Sequence, residues 1–162
     1  MTNILKWLIL IFITFLAEHF ITIDGIHLNF SFILVYLFVI DYMFPEEEQK
    51  KVYPSEVLPI LFFPAIGFIE DLFQGIIGPA IISKTISGIG LMILAKQIFF
   101  NWTEIFKSLV IFCFTIIDEG LHTFIISYFL NIDTTPLKIF KTSVLQGLMN
   151  IPAALLLSWR KP

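Results

Sequence analysis

The chain has 162 residues, of which 57% are hydrophobic and 14% are charged, and its mean hydropathy is +0.90. A soluble domain carries about 25% charged residues, so this composition predicts an integral membrane protein. The formal net charge is −3 and the ten basic residues are scattered, which argues against the clustered positive surface that nucleic-acid binding requires. The single cysteine excludes an internal disulfide and a cysteine-based metal site.

A first helix is predicted at the N-terminus. Lys6 precedes an apolar run there, a pattern that also occurs in signal peptides. The run continues to about Ile23, which is long enough to cross a bilayer, and no small-x-small cleavage site follows it. We therefore expect a retained membrane helix over about residues 4–23, ended by the turn at Asp24-Gly25.

Five more helices follow along the chain, because crossing about 30 Å of hydrocarbon takes roughly 20 apolar residues. Turn residues and the charged run PEEEQKK separate the apolar segments. The predicted segments are about 27–44, 57–74, 80–100, 104–130 and 137–159. They leave no room for a soluble domain, so we predict one all-α, polytopic membrane domain over residues 1–162 with six transmembrane helices.

The distribution of basic residues predicts the orientation, because cytoplasmic loops are enriched in lysine and arginine. If the N-terminus is cytoplasmic, seven of the ten basic residues lie on that side: Lys6, Lys50, Lys51, Lys96, Lys107, Arg160 and Lys161. The other side keeps Lys138 and Lys141. Trp7, Trp102 and Trp159 also lie near cytoplasmic helix ends, where their rings prefer the headgroup level. Both signals place the N- and C-termini in the cytoplasm.

Glu70, Asp71 and Lys84 place charges inside the predicted third and fourth helices. Such a charge costs about 2.5–3.5 kcal/mol at the bilayer centre, so it needs a partner or a function. Asp71 precedes the turn by four residues and Lys84 follows it by five, which puts both about 6–7.5 Å inside the helices. We predict that Lys84 pairs with Asp71 or Glu70 across this hairpin. The alternative is that these groups line a ligand pocket or meet a charged partner.

The fifth predicted helix carries Asp118, Glu119 and His122 near its midpoint. Asp118 and His122 share a face, and Glu119-x-x-His122 matches half of a di-iron site in a helical bundle. A complete site needs a second such pair, and no other Glu-x-x-His occurs. Glu18 and His19, on the first predicted helix, are expected too near the outer end of that helix to complete such a site. We therefore expect a buried hydrogen-bonded cluster rather than a metal site.

Polar and small residues on the last helix predict helix contacts. Gln146 and Asn150 are four residues apart beside Gly147, a combination by which membrane helices associate. Ser83, Ser87, Gly88 and Gly90 are predicted to give the fourth helix a similar face; contact with a partner protein is the alternative. No nucleophile elbow, phosphate loop or cofactor fingerprint occurs, so we predict no catalytic residue, no metal and no cofactor, and an enzyme is disfavoured.

The segment GFIEDLFQGIIGPAIISKTISGIG, residues 67–90, resembles the rod-shape-determining protein MreD family. That family typically shows a glycine, an acidic residue with leucine, a small-residue turn and an SKT-like start to the next helix. The matching positions here are Gly67, Asp71, Leu72, Gly75, Gly78, Ser83, Lys84, Thr85 and Gly88. The resemblance is specific over about residues 60–96, and hydropathy and length extend it to the rest.

The chain departs from the family pattern at two places. The family often opens its second helix with Pro-Asp, whereas Asn29 stands where that acid is expected. The basic segment common after that helix is replaced by PEEEQKK, which we interpret as a solvated turn or a docking site for a cytoplasmic partner. These departures concern partner contacts made through the second helix or that loop.

The resemblance implies a noncatalytic scaffold of the bacterial elongation machinery in the cytoplasmic membrane. Such proteins associate with the bitopic protein MreC, and through it with MreB, RodA and a class B penicillin-binding protein. The implied fold is similar to the six-helix substrate-binding component of energy-coupling-factor transporters.

Two other functions are alternatives to the scaffold. One is a vitamin-binding subunit of an energy-coupling-factor transporter, but the first helix has one alanine, Ala17, and lacks the spaced small residues of that class. The other is an intramembrane enzyme that would use Asp118, Glu119 and His122, and only their polarity supports it.

Overall fold

The computed structural model describes residues 2–23, 26–27, 29–43, 57–97, 103–131 and 135–158. Six α-helices account for nearly all of them, which confirms the all-helical class. The helices are α1 (Thr2–Phe20), α2 (Phe30–Met43), α3 (Val57–Gln74), α4 (Pro79–Gln97), α5 (Glu104–Leu130) and α6 (Pro136–Ser158). Two short strands, β1 (Thr22–Ile23) and β2 (Ile26–His27), lie between α1 and α2.

The first helix ends earlier than the apolar run predicts. Ile21 still donates its amide to the carbonyl of Ala17 at 2.8 Å, but β1 then pairs with β2 in an antiparallel ladder. The strands are rich in β-branched residues, which favour extended backbone, and a two-residue Asp-Gly connection favours a hairpin. Helix α1 therefore ends at Phe20, a little before the predicted end at about Ile23, whereas α3 and α5 have their predicted bounds. Asp24 and Gly25 themselves lie outside the described residues.

Helix α2 lies at the centre of the bundle and packs against α1, α3, α4, α5 and α6. Every side chain from Ser31 to Asp41 is buried. A helix that is apolar on all sides is stable only when its neighbours enclose it, and α2 has such a sequence. Because α2 is enclosed, any polar group at its start must find its partners inside the protein.

The outward faces of the surrounding helices are apolar. Leu8, Phe12 and Leu16 of α1 are each about half exposed or more, as are many leucines, isoleucines and phenylalanines of the other outer helices. Within the described ranges, three helices are long and apolar enough to cross a membrane, namely Pro79–Gln97, Glu104–Leu130 and Pro136–Leu157. An exposed apolar surface of this extent is unusual for a soluble monomer.

Glycines bring α3 and α4 into close contact. A Cβ atom added to Gly67 would lie 2.4 Å from the carbonyl oxygen of Ala80, and one added to Gly88 would lie 2.6 Å from the ring of Phe63. Gly90 instead faces Phe114 of α5, so the small residues of α4 serve two neighbouring helices rather than the single predicted face.

Several residues used to predict the orientation lie outside the described part of the chain. They are Lys50, Lys51, Trp102, Trp159, Arg160 and Lys161, together with the PEEEQKK run. Trp7 is described, and its ring packs edge-on against Phe38 at 5.6 Å and Phe62 at 5.5 Å. This tryptophan therefore anchors α1 to α2 and α3.

Candidate functional site

A group of interacting polar side chains lies inside the bundle, and we call it the polar cluster. Its members are Asn29, Ser31, Glu70, Gln74, Lys84, Ser87, Asp118, Glu119 and His122. They come from α2 and the residue before it, α3, α4 and α5. The cluster therefore ties four helices together.

Lys84 is the one lysine of the polar cluster, which contains no arginine, and its side chain is fully buried. Its Nζ lies 3.0 Å from Glu70 Oε2 and 2.5 Å from Asp118 Oδ2. It also donates to Asn29 Oδ1 at 3.1 Å. A buried ammonium is tolerated only when oppositely charged or acceptor groups surround it, and here three oxygens do so.

Asp71, the other predicted partner of Lys84, has a different role. One of its oxygens, Oδ2, accepts the amides of Gly78 at 2.7 Å and Ile81 at 3.2 Å, and Oδ1 accepts that of Ala80 at 2.9 Å. The first amides of a helix have no partner within it, and a carboxylate there also meets the positive end of the helix dipole. Asp71 thus caps α4 from the end of α3, and of the two acids it is Glu70 that pairs with Lys84.

Asn29 joins the two carboxylates of α5 to Lys84. Its Nδ2 donates to Asp118 Oδ2 at 2.8 Å and to Glu119 Oε2 at 3.3 Å. Its Oδ1 accepts the amide of Phe32 at 3.1 Å, so the same side chain caps α2. In the sequence, Asn29 stands out as a departure from the family pattern. Its position as the cap of a predominantly apolar helix is the signal that marks it as a buried polar group.

The three polar residues of α5 make separate contacts. Besides Lys84 and Asn29, Asp118 accepts a hydrogen bond from Ser87 Oγ at 2.9 Å. Glu119 accepts one from Thr123 at 3.1 Å, and His122 Nε2 lies 3.0 Å from Gln74 Oε1. In the part of the chain that the structure describes, no three His, Cys, Asp or Glu residues are arranged to hold a metal ion.

Glu70 extends the cluster along α3. It accepts hydrogen bonds from Ser31 Oγ at 2.6 Å and from Gln74 Nε2 at 3.3 Å. His122, Gln74, Glu70 and Lys84 therefore form a continuous polar chain from α5 through α3 to α4.

Glu18 also lies in this region. The sequence suggests a position too near the outer end of α1 for it to reach the polar residues of α5. Its Oε2 accepts the amide of Ser31 at 2.9 Å, because the chain turns back directly after α1 and brings the start of α2 beside it.

The predicted polar residues of α6 are both buried. Asn150 Nδ2 donates to the carbonyl of Asn29 at 2.7 Å and to Thr115 Oγ1 at 3.3 Å. Asn150 therefore links α6 to α5 and to the start of α2. Gln146, one turn away, lines a cavity.

A cavity of about 590 Å³ lies beside the polar cluster. Its polar wall includes Glu18, Asn29, Glu70, Gln74, Glu119 and His122. Phe15, Phe73 and Ile126 supply an apolar wall, and Lys138 and Thr142 line it from the first turns of α6. This volume falls within the range of about 300–1,000 Å³ that is usual for small-molecule pockets.

The described residues of the site act as hydrogen-bond donors, acceptors and charges. Asp118 and Lys84 are both engaged in the ion pair, and Asp71 is engaged in capping, so these groups contribute to holding helices in register. The groups that face open space are those of the cavity wall. Comparisons with family models, with curated proteins and with solved structures give no match to this chain.

Proposed function

We propose that this chain is a multi-pass protein of the bacterial cytoplasmic membrane, with six spanning helices and both termini in the cytoplasm. The exposed apolar faces and the three long apolar helices support membrane insertion. The bias of lysine and arginine supports the orientation. The central α2 is shorter than the others, but its neighbours enclose it.

Within that membrane, its role is that of a noncatalytic scaffold of the elongation machinery, as the resemblance to the MreD family implies. The observation that carries this proposal is the α3–α4 hairpin. Gly67 permits its close packing, Asp71 caps its second helix and Lys84 holds it to α5. The residues that carry the resemblance are thus those on which the local fold depends.

The turn of the same hairpin also follows the family pattern. Gly75 has φ +74° and Gly78 has φ +129°, backbone conformations that favour glycine. A family motif is expected to retain residues with such steric demands. The scaffold proposal includes an MreC-like bitopic protein as the direct partner, with MreB, RodA and a class B penicillin-binding protein reached indirectly.

A detergent pull-down of the tagged full-length chain from its native membrane, read by mass spectrometry, tests the scaffold. We expect recovery of an MreC-like protein and a class B penicillin-binding protein above a control with an unrelated tagged six-helix protein. Depletion of the chain is expected to convert rod-shaped cells to spheres. Absence of both partners from the pull-down, together with normal cell shape after depletion, would contradict the scaffold.

The cavity favours a second candidate, a vitamin-binding subunit of an energy-coupling-factor transporter. A pocket of about 590 Å³ with apolar and polar walls has the size and composition that such ligands require. The single alanine of α1 weighs against this function. The same pull-down discriminates, because recovery of an ATPase and a coupling subunit instead of wall-synthesis proteins supports transport.

A further inference from the structure

The cavity beside the polar cluster is asymmetric in charge. Three carboxylates, those of Glu18, Glu70 and Glu119, contribute to its wall. Among the described residues, Lys138 is the only lysine or arginine that lines it, and its side chain is exposed. The wall therefore carries more negative than positive charge when its three carboxyl groups are ionised and its histidines are neutral.

The buried Lys84 offsets only part of this imbalance. Its side chain is fully buried, it does not line the cavity, and its charge is shared between Glu70 and Asp118. Asp118 thus adds a further carboxylate directly behind the wall. Negative charge in a low-dielectric interior is costly unless a cation approaches it.

The apolar residues that line the cavity suit the hydrocarbon part of a ligand. The rings of Phe15 and Phe73 are stacked with their centroids 5.6 Å apart and their planes inclined by 14°. Both rings line the cavity, as does Ile126. Aromatic and aliphatic surfaces bind apolar groups, and an aromatic face also attracts a cation.

Hydrogen-bond acceptors also predominate on the polar wall. The three carboxylates accept hydrogen bonds when ionised, whereas Lys138 supplies an ammonium donor. An anionic ligand would meet like charges. A neutral ligand would gain no charge attraction from the three carboxylates.

We propose that this cavity binds a small organic cation, with its positively charged nitrogen facing Glu18, Glu70 and Glu119 and its carbon skeleton against Phe15 and Phe73. The cationic group belongs either to a soluble amine or to the headgroup of an aminophospholipid. The proposal rests on the residues that line the cavity, so it does not depend on the scaffold function.

Thermal unfolding of the purified full-length chain tests the site. The protein is held in phosphatidylglycerol nanodiscs, and its unfolding midpoint is followed by tryptophan fluorescence. Ethanolamine, choline, spermidine and thiamine are the soluble probes, and 3,3-dimethylbutan-1-ol serves as the neutral analogue of choline. At saturation, at least one cation is expected to raise the midpoint by about 5 °C, with no effect of the neutral analogue.

A lipid arm distinguishes the two sources of the cationic group. Replacing part of the phosphatidylglycerol with phosphatidylethanolamine is expected to produce the same rise if the headgroup is the ligand, and native mass spectrometry would then show retained phosphatidylethanolamine. If no soluble amine and no aminophospholipid stabilises the protein more than its neutral or anionic counterpart, the proposal is overturned. That result would leave the scaffold untouched, since partner recovery is measured separately.

Near-isosteric variants locate the binding. Glu119→Gln and Glu18→Gln remove one carboxylate each, and either is expected to weaken the apparent affinity for the stabilising cation about tenfold. Glu104→Gln is the matched control, since Glu104 lies on the same helix as Glu119 but outside the cavity, with 65% of its side chain exposed. Equal weakening in the control and the two cavity variants would also overturn the proposal.

Discussion

Lys84 shows how a buried charge depends on its surroundings. Glu70 and Asp118 approach it from two different helices, and Asn29 supplies a third oxygen. Desolvation makes such a group unfavourable alone, and removing either sign of charge leaves the other without compensation. Single substitutions among Lys84 and its two carboxylates are therefore expected to have large effects on stability.

We expect Lys84→Met to destabilise the protein by about 3–5 kcal/mol, because two buried carboxylates then lose their shared cation. Lys96→Met is the matched control on the same helix, since Lys96 is exposed, and its effect is expected within about 0.5 kcal/mol. Equilibrium unfolding by SDS in mixed micelles measures both values. Similar losses in the two variants would show that the ion pair contributes little.

Asn29 provides a test of polarity without a change of shape. Asn29→Asp replaces the amide that donates to Asp118 at 2.8 Å with an acceptor, so two carboxylates face each other. We expect a loss of about 1–3 kcal/mol in the free energy of unfolding.

The double variant Asn29→Asp with Asp118→Asn restores the number of charges and is expected to recover part of the stability lost in Asn29→Asp. The same SDS titration measures the recovery. This account of the contact would be contradicted if the double variant lost more unfolding free energy than the two single variants lose in sum.

At the level of helices, the α3–α4 hairpin depends on backbone approach. Gly67→Ala would place a Cβ atom 2.4 Å from the carbonyl oxygen of Ala80, so the two helices must separate. We expect a loss of about 1–3 kcal/mol, as for other overpacked sites.

Gly120→Ala is the control for that substitution, because the nearest atom, Ser143 Oγ, is 4.0 Å from the added Cβ. Alanine is the better helix former by about 1 kcal/mol, so this variant is expected to be neutral or more stable. Thermal unfolding of the two variants in one detergent compares them. An unchanged midpoint in Gly67→Ala would show that the hairpin can open without cost.

Helix bounds could largely be predicted from the sequence, because apolar length and turn residues are local properties. The bounds of α3 and α5 follow directly from their apolar runs and flanking residues. The contact between Lys84 and Asp118 could not be predicted in this way. Rise per residue gives the depth of a charge along a helix, but it gives neither the rotation of that helix nor its neighbours.

Asn29 illustrates a second limit of sequence reasoning. Its importance follows from the central position of α2, and that position depends on all the other helices. The capping role of Asp71 is similarly hidden, because an acid near the end of one helix suggests a charged partner or a ligand pocket before it suggests the amides of the next helix. The amides of α4 compete for the same carboxylate, and they are closer along the chain.

For the molecule as a whole, the proposed six-span orientation makes a testable prediction. In a Cys113→Ala background, single cysteines at Ile77 and Asn131 are expected to react with a membrane-impermeant maleimide added to intact cells. Cysteines at Lys96 and Thr103 are expected to react only after the membrane is permeabilised. These four positions are exposed and lie at or near helix ends.

Labelling of all four positions in intact cells would contradict the orientation, as would labelling of none. A cytoplasmic marker protein that stays unlabelled in intact cells controls for membrane integrity. The reversed pattern, with Lys96 and Thr103 positions labelled first, would place both termini outside.

The hydrogen bond from Asn150 to the carbonyl of Asn29 joins residues that are 121 positions apart. During synthesis, the start of α2 leaves the ribosome long before α6, so this carbonyl lacks its hydrogen bond from Asn150 until α6 has been made. The central helix is thus among the first segments made and among the last to be fully satisfied. A nascent chain that stops before α6 would therefore leave the buried polar groups at the start of α2 without the amide of Asn150.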